Sequence, residues 1–455
     1  MAEYKDPINL TKDRALVARS EKVCARANHL TYFPLVVDSY KGAVITDVDG
    51  NEYIDFLASA SSMNLGGSHP AILKACREQL EKVTQYSAVY TYNEPNIRYA
   101  EKLASIYPGG GPAKVCYGNC GSDCNDAAIK FARGFTGRTK IISFNNAYHG
   151  NTFGSSSMTH VTHRMHRHMG PFLPEMYSFP FSDCAHCMFD KDRETCSAEC
   201  LRPIEQAFAT SLDPEEVAAV IIEPVQGDGG IIAAHPLFLE KLYKLCQDNG
   251  ILFIVEEVQQ GLGRTGKWFS IDNYGIVPDG IIMGKSVGAG FPLGVFMARP
   301  EIMDCLPEIA HGFTLSGNSM SCAAGAAAFD VLAEPGFFDE VNRKGRKIKD
   351  GFAKLADKYG IISDIRGWGM SIGVEIVKDL ETKEPDVTGV AKMCYRAFEK
   401  GLVMISLAGN VFRVQPPLVI TDEQIDRAME IIDETMDEYK KGEISDEVLS
   451  NVAGW

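Results

Sequence analysis

The sequence predicts an α/β fold: a large, mainly parallel-sheet αβα domain and a smaller α+β domain drawn from both ends of the chain. Three observations carry this. Between residues 64 and 325 short apolar runs alternate with amphipathic helical stretches, the pattern of βα units feeding a parallel sheet. Residues 251–255 and 280–283 are continuous apolar runs, as strands buried on both faces require. After Pro335 the pattern changes to a long charged helix and short strands. At 455 residues the chain exceeds what one compact core accommodates. Residues 64–325 are therefore assigned to the large domain, and 1–63 with 326–455 to the smaller one.

In chain order, residues 1–60 read as a helix followed by an antiparallel unit. Two alternating runs across 44–55 flank Asp49-Gly50, a hairpin signal. Helices are expected at 71–84, 96–107 and 123–133, with strands at 114–117 and 140–144. A long helix at 338–359 opens the C-terminal part. Strands follow at 370–377 and 411–414, and Thr421-Asp-Glu-Gln424 reads as the cap of the last long helix.

Composition narrows the function. A net charge of -15 argues against a nucleic-acid footprint or an anionic membrane surface. No apolar run approaches the roughly 18 residues a membrane span needs. The start, Met1-Ala-Glu-Tyr-Lys-Asp-Pro7, lacks the basic and apolar regions of a secretory signal. The 13 cysteines are odd in number and mostly sit in apolar segments, which favours reduced thiols over a disulfide framework. A soluble cytoplasmic enzyme acting on a small molecule is the expectation.

The chemistry-bearing residues cluster at strand ends. The 251–255 run delivers Glu256 and Glu257 where open α/β sheets place their ligands. The 280–283 run ends in Gly284-Lys285-Ser286. A lysine delivered there either snorkels to solvent or acts as a nucleophile. Tyr117 to Asp126 turns from a strand into a helix through Gly121-Ser122, which suits a phosphate at the positive helix end or a simple N-cap. Asn146-Ala-Tyr-His-Gly150 offers an aromatic face at Tyr148. A further buried run ends in Glu223-Pro-Val-Gln-Gly-Asp-Gly-Gly230, where Glu223 reads as structural and Asp228 as the more interesting carboxylate.

Together, Glu256-Glu-Val-Gln259, the glycine-rich Gly261-Leu-Gly-Arg-Thr-Gly266 and Gly284-Lys285 resemble the class III aminotransferases, pyridoxal-phosphate (PLP) enzymes of fold type I. The similarity extends across nearly the whole chain. It implies that Lys285 is the Schiff-base lysine and that Gly121 and Ser122 hold the phosphate, although Asp123 stands where the family has Glu. Tyr148 would stack on the ring, Val258 would cover its other face, and Gln259 would reach the phenolic oxygen. Glu256 occupies the place of an Asp that pairs with the pyridine nitrogen, a departure of one methylene. His149 is expected to position its loop. Thr314 matches a threonine that reaches the neighbouring subunit's phosphate, so a homodimer or a dimer of dimers with shared sites is implied.

Within this family several segments look most like the amino-acid racemase and epimerase branch, among them 57–61, 121–133, 226–232 and 407–420. Racemisation needs two acid/base groups flanking the α-carbon. Lys285 and Asp228 are the candidates for this two-base reaction on a free amino acid. The alternative is an aminotransferase of the 4-aminobutyrate or ornithine type passing the amino group to a 2-oxo acid. A chain that has kept the fold and lost catalysis is the third reading, and retention of Lys285 argues against it. On the substrate side the resemblance points to Ser59, in the segment bordering the substrate, and to Arg413, which family members pair with the carboxylate at Asp228. A plain salt bridge is the bland reading of that pair.

The match breaks at residues 182–200. There Cys184, Cys187, Cys196 and Cys200 form a Cys-x2-Cys-x8-Cys-x3-Cys pattern. Structural zinc, with His186 as a substitute ligand, disulfides, and reduced thiols packed in a loop are the three readings of this cluster.

Overall fold

The structure is a computed structural model, and it describes residues 6–452. The chain divides into two compact units, one running from Pro70 to Phe338 and the other combining the chain through His69 with the chain from Asp339 onward.

In the larger unit a seven-stranded sheet runs in the spatial order Lys114–Gly118, Gly294–Ala298, Gly280–Met283, Leu252–Glu256, Val217–Ile222, Lys140–Phe144, Met176–Phe179. Every neighbouring pair is parallel except those made by Gly294–Ala298, which is antiparallel on both sides. The sheet is therefore mainly parallel, as the alternating pattern predicted. Val217–Ile222 and Leu252–Glu256 are buried along their whole length, which explains their unbroken apolar character. Helix Gly121–Thr136 packs Cys124, Ala127, Ala128 and Phe131 against Ile141, Ile221, Ile254, Ile282 and Phe296 of the sheet. Each large aliphatic side chain so buried contributes on the order of 1.5–3 kcal/mol. Small residues on the helix let it approach closely, and so place its N-terminus at the strand ends.

In the smaller unit the hairpin falls where Asp49-Gly50 predicted it, between Val44–Asp47 and Glu52–Asp55, with Gly50 at φ 94°. Asp47 Oδ1 accepts the N–H groups of Asp49 and Asn51 to close the turn. Leu402–Val403 pairs in parallel with Ile54–Asp55, so the N-terminal segment completes a sheet of the C-terminal part. A second sheet orders Ile362–Trp368, Ser371–Ile376, Val411–Val414 and Ile405–Leu407. The last helix, Asp422–Lys440, begins at Thr421 with the capping box read from the sequence.

The units meet the chain at 69/70 and 338/339, where the sequence placed boundaries at 63/64 and 325/326. Two local contacts account for the shift. Gly42 and Gly67 exchange backbone hydrogen bonds, which keeps 64–69 with the hairpin. Helix Ser319–Leu332 packs on Pro70–Lys82 and Glu94–Ser105 and so belongs whole to the larger unit. Among the described residues no helix is long and apolar enough to cross a membrane.

Two tests of this architecture follow from close approaches and burial. Helix Phe337–Tyr359 carries Gly345 against the backbone of Gly369, and a Cβ there would lie well inside contact with the Gly369 carbonyl. Gly345→Ala, which in an exposed helix would stabilise by roughly 0.5–1 kcal/mol, is expected here to lower the unfolding midpoint; an unchanged or raised midpoint contradicts the packing. Glu257, buried beneath the central strand, is pushed up to about 8 chiefly by burial. The folded form then keeps a proton that the unfolded chain, at an ordinary 4.5, releases. This contribution is fully present below the unfolded value and is lost as pH rises through the folded one. The stability of cofactor-free wild type relative to Glu257→Gln should fall between pH 5 and 8, and a flat difference in denaturant titrations rules the effect out.

Candidate active site

The C-terminal edge of the central strand is where the large unit concentrates its buried charge. Glu223, Glu256 and Glu257 are each less than 5% exposed. An isolated carboxylate there would be costly, so each must find donors or shed its charge.

Glu257 turns under the sheet and accepts from Ser270 N–H, Ser270 Oγ and Ile271 N–H at 2.7–2.9 Å. Glu256 folds back on its own turn, its Oε1 accepting from Val258 N–H at 2.6 Å while Oε2 lies 3.5 Å from His149 Nδ1. Burial pushes Glu256 up to about 7, and the Lys285 ammonium nearby opposes that rise. Burial holds His149 below its ordinary value, which favours the neutral ring, and neither ring nitrogen finds a hydrogen-bond partner among the described residues.

The turn from strand Lys114–Gly118 into a helix at Gly121 falls where the sequence indicated. Helix Gly121–Thr136 starts at Gly121, and Asp123 accepts the N–H groups of Asn119 and Cys120. Asp123 in place of Glu therefore still caps the turn. A Cβ on Gly121 would meet Val258 at 2.9 Å, and one on Gly284 would meet the Gly121 backbone at 3.0 Å. Gly121, Val258 and the residue preceding Lys285 thus pack into one cradle that only glycine permits. Lys285 itself sits at φ 47°, a left-handed conformation that costs a non-glycine residue of order 1–3 kcal/mol and recurs at functional sites. Ser122 Oγ accepts from Asn151 N–H at 3.1 Å, joining the turn to the loop that carries Tyr148 and His149. The backbone of that loop is fixed by Thr159, whose Oγ1 accepts from His149 and Gly150 N–H, and by Asn125, which donates to the His149 carbonyl.

Asp228 lies in the turn Gly227–Gly230, and Gln259 Nε2 donates to its Oδ1 at 3.3 Å. A Cβ on Gly227 would strike the Gln259 amide at 2.5 Å. Tyr148 is pushed up to about 12 by burial, then by the charges of Asp228 and Glu256, which places all three groups within electrostatic reach.

Glu223, read from the sequence as merely structural, joins these parts. Its Oε1 accepts from Tyr148 N–H and its Oε2 from Gly227 N–H, both at 2.9 Å. One buried carboxylate thus clamps the aromatic loop and the Asp228 turn. Burial, then the neighbouring Glu256, pushes it up to about 8. The only sequence signal was its place at the end of a fully apolar run. With His149 and Glu256 it forms the only group of three or more His, Cys, Asp or Glu residues, among those described, whose ligand atoms lie within 4.8 Å of one another.

The structure therefore gathers Gly121, Ser122, Tyr148, Asp228, Glu256, Val258, Gln259 and Lys285. Thr314 stands apart on an exposed segment, its carbonyl accepting from Gln85 Nε2 at 3.1 Å. Ser59 and Arg413 belong to the smaller unit. Ser59 is exposed on a left-handed turn in which Ala58, Ser59, Ala60 and Ser61 all have φ of 48–64°. Arg413 is buried and donates from Nε to Gln415 Oε1 at 2.5 Å; the same oxygen accepts from Ser61 Oγ at 2.9 Å. Cys184, Cys187, Cys196 and Cys200 are free thiols, and no three of their sulfurs lie within 4.8 Å of one another. His186, the substitute ligand, is engaged with Asp183 at 3.0 Å.

A phosphate-accepting helix start, a glycine cradle against Val258, a strained lysine and a buried carboxylate facing it fit a phosphorylated aromatic aldehyde cofactor. Comparison with known proteins agrees in kind. The family model for class III aminotransferases matches residues 25–436. The chain is 40% identical to isoleucine 2-epimerase of Lentilactobacillus buchneri over 98% of its own length and 99% of that protein. It is 37% identical to the leucine/methionine racemase of Thermococcus litoralis, covering 97% and 99% of the two chains. Among solved structures, the ornithine aminotransferase of Toxoplasma gondii, which has PLP at partial occupancy in its active site, superposes with a TM-score of 0.81 at 29% identity over 94% of this chain and 95% of the other. This chain belongs to the class III aminotransferase family.

Proposed function

We propose that the chain is a PLP-dependent amino-acid racemase or epimerase that inverts the α-carbon of a free amino acid with two acid/base groups. The observation that carries this reading is that Lys285, next to the Gly284–Gly121–Val258 cradle, and Asp228, bonded to Gln259 beside Val258, both lie within electrostatic reach of the same buried Glu256, so two proton-handling groups are available at one site. Resemblance to the epimerase and racemase supports it.

In this reading Gly121, Ser122 and the helix start hold the cofactor phosphate. Tyr148 and Val258 hold the ring between them, and Gln259 reaches its phenolic oxygen. Glu256, with His149 behind it, keeps a proton on the ring nitrogen. When bound, PLP draws electrons from the substrate α-carbon and makes its proton removable. Lys285 takes or returns that proton on one face, and Asp228 does so on the other. Ser59 and Arg413 enter as substrate-side residues on the strength of the family resemblance.

The partner implied by Thr314 is a second copy of this chain. Tyr86, Tyr90, Tyr92, Ile97, Ile309 and Leu315 are all exposed, and Gln85 ties their two segments together at Thr314. So much apolar surface is unusual on a monomer. Sedimentation analysis should find a dimer or larger assembly, and a monomer at micromolar concentration contradicts this part of the proposal.

The deciding experiment incubates single enantiomers in D₂O with PLP and no 2-oxo acid. Deuterated opposite enantiomer is expected, with Lys285→Ala inactive and Asp228→Asn slowed by about 10²–10⁴-fold, the usual weight of a general acid/base. Asp228→Asn racemising at the wild-type rate removes it from the mechanism. Turnover only when 2-oxoglutarate or pyruvate is supplied makes the protein an aminotransferase instead.

A further inference from the structure

The segment between strand Met176–Phe179 and helix Arg202–Thr210 plays no part in the proposed reaction. Its only regular structure is the single 3-10 turn Glu199–Leu201, so residues 180–198 hold their shape without a helix or strand of their own. Loops of this length are uncommon unless something fixes them. This one is anchored at its ends by the buried Phe181, packed edge-on against Phe144 and Phe238, and by the buried Leu201, and between them it carries four of the chain's 13 cysteines.

All four cysteines line the same small cavity, of about 20 Å³. None is in a disulfide. The buried Ser182 lines the same cavity and lies within reach of both Cys184 and Cys200, while its Oγ accepts from His235 N–H at 3.0 Å. The first and last cysteines of the motif are therefore held to one anchored point. The spacings Cys-x2-Cys and Cys-x3-Cys are those with which two short turns each offer a pair of sulfurs to one ion.

We propose that Cys184, Cys187, Cys196 and Cys200 close around a single structural zinc ion. Zinc–sulfur bonds of about 2.3 Å in a tetrahedron bring the sulfurs to about 3.8 Å of one another, so binding contracts the cluster from its present open form. Sulfur ligands facing one cavity suit a soft divalent cation, and the protons of the four thiols leave to solvent as the ion binds. Ser182 is the outer partner that orients two of the ligands. The ion staples the loop and takes no part in proton transfer, so the proposal stands or falls independently of the racemase reading.

The test measures metal in the full-length, PLP-loaded protein purified from zinc-supplemented cells and dialysed against a mild chelator. Elemental analysis should give about one zinc per chain. Cys184→Ser and Cys196→Ser should each lose most of it, while Cys24→Ser, an exposed thiol outside the cluster, should keep it. Cobalt substituted into the wild type should show the intense sulfur-to-metal charge-transfer bands of a tetrahedral thiolate site, a readout that does not depend on any variant folding. Wild type without zinc, zinc retained by the double variant Cys184→Ser/Cys196→Ser, an intact mass showing two disulfides, or iron with acid-labile sulfide in place of zinc would each overturn the proposal.

Discussion

The rest of the large unit depends on disposing of negative charge inside a dry sheet edge. Glu223, Glu256 and Glu257 leave water almost completely, and an unpaired carboxylate in such a place costs several kcal/mol. Each oxygen that is satisfied fixes something else. Glu257 fixes the turn at Ser270 and Ile271. Glu223 fixes Tyr148 and Gly227. Glu256 fixes Val258. The positions of the aromatic loop, the Asp228 turn and the residue packed against Gly121 are thus consequences of three carboxylates finding donors. The donors are backbone N–H groups in most cases, so side-chain substitutions nearby leave them in place.

The longer reach of Glu256 is accommodated within its own turn. A glutamate at a strand end can curl back to the N–H two residues on, and here it does so at 2.6 Å while leaving its second oxygen toward His149. The consequence is electrostatic. With burial raising Glu256 to about 7, its charge depends on positive neighbours, and Lys285 is the one that opposes the rise. His149, kept neutral by burial, adds a polar ring and no full charge. The carboxylate's ionisation is therefore coupled to whatever cation the cradle holds.

Much of this was legible in the sequence because the signals are local. Apolar runs ending in Glu256 or Lys285 declare a strand and what it delivers, and Gly121-Ser122 between a strand pattern and a helical one declares the turn that starts the helix. What was not legible has no one-dimensional signature. Nothing in Glu223-Pro-Val-Gln-Gly announces that its carboxylate will reach a loop some 75 residues earlier in the chain. The left-handed turn at Ala58–Ser61 contains no glycine, so its conformation is imposed by surroundings such as the Ser61 bond to Gln415. The Cys-x2-Cys-x8-Cys-x3-Cys spacing was visible, but that all four thiols face one cavity is a property of the folded loop. The boundary drawn at residue 325 fell inside the helix Ser319–Leu332, because alternation of patterns marks where element types change and not where a packed helix ends.

The shortness of Asp228 is itself an argument about mechanism. A residue that must meet an α-proton has to be held to within about an ångström, since misplacement of that size costs orders of magnitude in rate. An aspartate has one fewer rotor than a glutamate and loses less freedom when fixed. Here its turn is closed by Gly230 and Ile231 N–H groups donating to the Gly227 carbonyl, with Ile231 held at φ 55°. Gly229 sits close to the Asn146 carbonyl, Gln226 donates to Asn145, and Gln259 bonds the carboxylate directly. A carboxylate whose task is to swing toward a distant cation gains from length and freedom, and this one has neither. Its turn is stitched to the Tyr148 loop through Gln226 and Glu223, the restraint that the proposed proton-handling role requires.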